Sequence, residues 1–143
     1  MPTKIESQVH RYELTVVESH LDSFGHMNNA AYLKILEEAR WELITSGGFG
    51  YEKIQQSKLG PTILEVNLRF RREIKLRQKI IIETRGLSYD SKVCELEQLI
   101  KSEKGDVMCV ALFKVALFDT EQRKLVSPTQ EWLDAIGVKI IAN

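Results

Sequence analysis

The chain has 143 residues, 43% of them hydrophobic and 28% charged, and its twenty basic side chains balance twenty acidic ones for a formal net charge of zero. That length suits one domain, residues 1–143, which can bury roughly two thirds of its extended-chain surface without a disulfide or metal staple. Zero net charge excludes the broad positive field that nucleic acid or an anionic membrane surface would call for, so an anionic ligand must meet a local patch.

Met1-Pro2-Thr3-Lys4-Ile5-Glu6 carries charge early and no apolar run, so no secretory leader is expected. No stretch approaches the ~18 apolar residues of a membrane span. A soluble, cytoplasmic protein without membrane insertion is the expectation. In residues 9–18, Tyr12, Leu14 and Val16 alternate with Arg11, Glu13 and Thr15, the period of a strand with one wet face. A polar loop, Ser19 to Asn28, follows. From Asn29 to Ser46 the period changes: Tyr32, Leu36, Ala39 and Leu43 recur at helical steps, and Ile35 joins their face. Asn28 or Asn29 serves as N-cap and Gly47-Gly48 as the stop. This helix is about 27 Å long, enough for a sheet to wrap around it.

The remainder reads as strands. Leu64, Val66, Leu68 and Phe70 alternate with Glu65, Asn67, Arg69 and Arg71. Residues 79–88 and 92–102 form two more strands, joined by a turn at Tyr89-Asp90-Ser91. Lys104-Gly105-Asp106 makes a tight hairpin into residues 107–118, the most apolar stretch, read as a central strand covered on both sides. Cys94 and Cys109 fall inside strands without metal-ligand spacing, which points to core packing in a reducing compartment. A short C-terminal helix is expected at about 128–136, capped by Ser127, with Pro128 at its first position and Gly137 after it.

Chemistry concentrates in Asp22-Ser23-Phe24-Gly25-His26-Met27-Asn28-Asn29-Ala30-Ala31-Tyr32. A helix start offers unpaired backbone N–H groups and the positive end of a dipole, a place suited to the developing oxyanion of acyl transfer. Gly25 lets a ligand approach the backbone closely. Asp22 is placed either to attack a carbonyl carbon or to deprotonate a water that does. Each residue also has a structural role open to it: Asp22 as a turn former, Asn28 or Asn29 as a cap, His26 as a satisfied histidine, Tyr32 as core. The spacing of His20, Asp22 and His26 matches no common metal site, and no metal is expected.

The segment D-x-x-G-H-M-N-N-x-x-Y, opening a long amphipathic helix after one strand and before four, resembles the signature of the hotdog acyl-CoA thioesterases. It is most similar to the 4-hydroxybenzoyl-CoA thioesterase-like branch, and also resembles the acyl-carrier-protein thioesterases. Leu33 to Arg40 looks like the family's helix and Glu65 to Phe70 like its second strand. The resemblance implies an α+β hotdog fold, an antiparallel sheet of about five strands around one long helix. It implies hydrolysis of an acyl-CoA or acyl-carrier-protein thioester without metal or redox cofactor.

By position, Asp22 matches the family's catalytic aspartate, nucleophile or general base. Gly25 and the backbone after it match the turn that polarises the thioester carbonyl. His26 is expected to assist by orienting substrate or water, and Asn28 and Asn29 to position carboxylate or substrate. Glu37 is read as structural, paired with a basic neighbour. Met27 and Tyr32 are carried as substrate contacts. Arg69, Arg71 and Arg72, in a basic stretch that continues through Lys75, Arg77 and Lys79, are candidates for the phosphates of the carrier. Family members form dimers or tetramers with sites at the interface, so a homodimer or homotetramer is expected.

Two other classes share the fold: a hydratase or dehydratase acting on enoyl thioesters, and a non-catalytic acyl-thioester-binding module. The first typically shows D-x-N-P-x-H, whose proline is missing here. The second loses the carboxylate that Asp22 retains. No G-x-S-x-G elbow occurs, which disfavours a serine-dependent thioesterase.

Overall fold

The computed structural model describes residues 3–142. In chain order it contains β1 (Lys4–Ser7), β2 (His10–Thr15), a 3-10 turn (Glu18–His20), α1 (Asn29–Ser46), α2 (Tyr51–Ser57) and β3 (Leu59–Phe70). There follow β4 (Lys79–Asp90), β5 (Val93–Ser102), β6 (Val107–Asp119), β7 (Lys124–Val126), α3 (Gln130–Ile136) and β8 (Val138–Ala142). The main sheet is antiparallel in the order β2-β4-β5-β6-β3, with β7 added on β6; β1 and β8 form a separate two-stranded ribbon. The sheet curls about α1, the hotdog arrangement expected from the sequence. No helix among the described residues is long and apolar enough to cross a membrane.

The long helix forms where its apolar period begins. Asn28 is extended, and its Oδ1 accepts the Ala30 N–H at 2.8 Å, satisfying one of the donors a helix start leaves open. Tyr32, Ile35, Leu36, Ala39, Leu43 and Ile44 are buried in the concave face of the sheet. Fully buried aliphatic side chains of this size stabilise by roughly 1.5–3 kcal/mol each. The helix ends at Gly47, where a Cβ would lie 2.4 Å from the Ala135 carbonyl oxygen, so only glycine lets α3 pack this closely. Phe49 and Trp132 close that end in an edge-to-face pair with centroids 5.3 Å apart.

Several elements differ from the sequence expectation. The C-terminal helix begins at Gln130 rather than 128: Thr129, not Ser127, is the N-cap, its Oγ1 accepting the Trp132 N–H at 3.1 Å, and Pro128 lies ahead of the helix. The β4–β5 turn sits at Ser91-Lys92, because Tyr89 and Asp90 still pair with Cys94 and Val93. On β6, Cys109, Ala111, Phe113, Val115 and Leu117 are buried as expected. The other face is only partly covered, with Val110, Leu112 and Phe118 half-buried and Lys114 exposed.

The largest difference is in β3. A bulge between Ile63 and Glu65 removes Leu64 from the apolar row and puts Ile63 there instead. Pro61, Ile63, Val66, Leu68 and Phe70 then oppose the buried Leu117, Val115, Phe113, Ala111 and Cys109 of β6. Among the described residues the strand has no neighbour on its other side. Ile63, Leu64, Val66 and Phe70 are each more than 40% exposed in consequence. On α1, Leu33 and Trp41 are exposed to the same degree.

Candidate active site

Residues 20–28 fold into a small closed hairpin ahead of α1. The Asp22 N–H donates to the His26 carbonyl at 2.8 Å, and the Asn28 N–H to the His20 carbonyl at 2.9 Å, with Leu21 and Met27 facing each other between them. Gly25 sits at φ +81°, a left-handed turn position that glycine takes without strain, and its N–H bonds to the Asp22 carbonyl at 3.1 Å. The Asp22 carboxylate is held from inside this loop: its Oδ1 accepts the Phe24 N–H at 2.9 Å and the His26 N–H at 3.3 Å. Oδ2 has no hydrogen-bond partner among the described residues, and the residue is half-buried. Asp22 is therefore a fixed acceptor with one oxygen free.

These bonds occupy two of the backbone N–H groups of the turn. Gly25 and His26 spend their N–H groups on Asp22, which leaves them unavailable to a substrate. Ala30 is capped by Asn28 and Ala31 bonds to the Asn28 carbonyl. The Asn29 N–H, at the first position of α1, has no acceptor among the described residues. It stands at the positive end of an eighteen-residue helix. The Asn28 side chain acts as the cap, and the Asn29 side chain is exposed beside it.

His26 is exposed and its Nε2 lies 2.7 Å from an oxygen of Glu73, a residue the motif does not contain. Glu73 belongs to the segment after β3, anchored by the fully buried Ile74 next to it and by the Arg77–Glu18 ion pair at 2.5 Å. Met27 and Tyr32 are both 5% exposed and lie in the core rather than in an open cleft. Tyr32 packs edge-to-face on Phe70 with centroids 4.8 Å apart, which brings the end of β3 to the start of α1. Burial, then the neighbouring Cys109 and Glu73, raises the pKa of its hydroxyl. Phe24, at the hairpin tip, is 83% exposed.

The basic stretch divides. Arg72 pairs with Asp106 at 3.3 Å and Arg77 with Glu18, whereas Arg69 and Arg71 make no ion pair among the described residues. No group of three or more potential metal ligands occurs among them either.

A second feature lies along the same seam between α1 and β3, toward the C-terminal half of the helix. A cleft of about 110 Å³ is lined by Glu37, Trp41, Ile63, Leu96 and Trp132, with Arg40 in its wall. The Arg40 Nη1 donates to Gln98 Oε1 at 2.9 Å, and its guanidinium lies over the Phe113 ring at 4.2 Å. Gln98, fully buried, donates in turn to the Leu36 carbonyl at 3.1 Å and to Thr84 Oγ1 at 3.0 Å. Burial lowers the Arg40 pKa to about 10, against a smaller upward effect of Glu37. The sequence carried no signal for this network, because its members lie on three elements whose register it does not fix.

A profile of the thioesterase-like superfamily matches residues 16–136. The chain belongs to that superfamily. Residues 22–32 and the helix they open fall within the matched region, and the expectation of a thioester hydrolase is met at the level of the family. The long-chain acyl-CoA thioesterase FadM of Escherichia coli is 28% identical over 109 residues, which are 76% of this chain and 82% of that protein. Among solved structures, the probable thioesterase YbaW of Escherichia coli superposes with a TM-score of 0.80 at 26% identity, covering 90% of this chain and 98% of that one. A Staphylococcus aureus protein solved in complex with CoA superposes with a TM-score of 0.84 at 18% identity, covering 91% and 82%, and shares the fold.

Proposed function

We propose that the chain hydrolyses acyl-CoA thioesters, with Asp22 as nucleophile or general base and the Asn29 N–H at the start of α1 polarising the thioester carbonyl. The observation that carries this reading is the Asp22 carboxylate, locked by two backbone N–H groups with its second oxygen free, in the hairpin that directly precedes the open N-terminus of α1. As nucleophile, Asp22 forms a mixed anhydride and expels the CoA thiolate; water then cleaves the anhydride to the free acid. As base, it takes the proton of a water that attacks the same carbon. His26, oriented by Glu73, assists water or substrate, and Asn29 helps position the carbonyl. Arg69 and Arg71, free of carboxylate partners, meet the CoA phosphates, and no metal or redox cofactor takes part. The similarity to FadM supports an acyl-CoA substrate.

The apolar edge of β3, with Ile63, Leu64, Val66 and Phe70 exposed, supports pairing with a second copy through that strand. A Val66→Lys variant is expected to elute as a monomer where the wild type elutes as a dimer or tetramer; a monomeric wild type at assay concentration would refute the pairing. The catalytic reading is tested by thiol release from a panel of acyl-CoAs and acyl-carrier-protein thioesters. Cleavage of acyl-CoAs supports it. Binding without turnover of any of them would instead make the protein a binding module.

A further inference from the structure

The half-buried Arg40 guanidinium is sparsely partnered among the described residues. It has five N–H donors, yet makes one hydrogen bond, to Gln98, and no ion pair. Stacking on Phe113 and the Gln98 contact hold it in one place, and Gln98 is itself fixed to the helix backbone and to Thr84. Arg40 lines a cleft whose other walls are mainly apolar, including Ile63, Leu96 and Trp132. Glu37, one turn earlier on the same helix, is exposed and lines that cleft too.

The cleft and the candidate active site share α1, on which Asn29, Leu33, Glu37 and Trp41 recur every four residues and so fall along one face. Leu33 and Trp41 of that face are exposed, and Trp41 lines the cleft together with the exposed Ile63 of β3. Arg40 stands eleven residues beyond Asn29. That separation is about 16 Å along the helix axis, which an extended chain of roughly 13 bonds covers.

We propose that Arg40 and Glu37 form a distal specificity subsite that selects acyl groups of about a dozen carbons carrying a hydroxyl at the far end. The assignment rests on the thioester-hydrolase reading. A plain alkyl terminus entering the cleft strips water from the guanidinium without replacing its hydrogen bonds, which costs binding energy. A hydroxyl accepts from Arg40 and donates to Glu37. A carboxylate meets Arg40 but is repelled by Glu37, so it is the poorer ligand.

The test compares kcat/KM for dodecanoyl-CoA, 12-hydroxydodecanoyl-CoA and dodecanedioyl-CoA. The wild type is expected to favour the hydroxy substrate over the plain one by about tenfold or more, the size of one charge-assisted hydrogen bond. Arg40→Met collapses that ratio toward one, and Arg40→Lys retains part of it. Glu37→Gln, at an exposed position that leaves the core intact, lowers the hydroxy preference and improves the dicarboxylate. That variant keeps the assignment open to refutation if Arg40→Met does not fold. Hydrolysis of the plain and hydroxy chains at equal rates by the wild type overturns the subsite and leaves the hydrolase reading standing. A ratio unchanged in folded Arg40→Met or in Glu37→Gln does the same. Failure to cleave any acyl-CoA overturns both.

Discussion

Replacing Asp22 by Asn separates its chemical role from its structural one. The variant keeps an oxygen at the position that accepts the Phe24 and His26 N–H groups, 2.9 and 3.3 Å away, so the hairpin keeps both bonds. What changes is their strength, from charge-assisted to neutral. At a partly solvated loop this lowers stability by less than about 1 kcal/mol. The free Oδ2 becomes an amide nitrogen, which neither attacks a carbonyl nor takes a proton from water. Loss of a positioned base or nucleophile is expected to reduce kcat by about 10²–10⁴, or roughly 3–5 kcal/mol of barrier. The assay is continuous thiol release from a series of acyl-CoAs, read beside a urea midpoint for each protein. A folded Asp22→Asn protein that keeps more than about a tenth of wild-type kcat would refute the assignment of Asp22.

His26→Ala removes only the exposed contact to Glu73 and is expected to cost less activity than Asp22→Asn; an equal loss in the same assay would make His26 essential. Gln98→Leu leaves the Arg40 guanidinium and Thr84 without their buried partner, and a destabilisation of about 2–4 kcal/mol is expected from the urea midpoint. A loss below about 0.5 kcal/mol would show the network to be dispensable. Burial pushes the Cys94 and Cys109 thiols up to about 12 and about 11. The folded state therefore holds these protons more tightly than the unfolded chain, whose thiols titrate near about 8.5. Their contribution to stability is complete below that pH and fades as pH rises toward 11–12. Melting temperature should fall between about pH 8 and pH 10.5, and neither thiol should react with a disulfide reagent at pH 8 until denaturant is added. Rapid labelling of the native protein would contradict the burial of both.

The long helix, its cap at Asn28 or Asn29, the Gly105 hairpin and the Asp22 loop were legible in the sequence because each depends on contacts within a few residues. Apolar side chains three and four apart must share a helix face, and a capping oxygen must sit next to the N–H it binds. The short β1–β8 ribbon, α2 and β7 were not legible, since strands of three to five residues and two-turn helices carry too little periodicity to register. The β3 bulge escaped for a related reason: alternation through Leu64 and alternation through Ile63 look alike until β6 lies beside them. Glu73 reaches His26 only when β3 returns to the start of α1, a step from residue 26 to residue 73 that no local rule supplies. Arg40, Gln98 and Thr84 likewise meet because one helix and two strands cross at a single depth in the core. Local chemistry is written in neighbouring residues. The placing of Arg40 against Gln98 and Phe113 beside the cleft, and the exposed apolar edge of β3, were decided by packing.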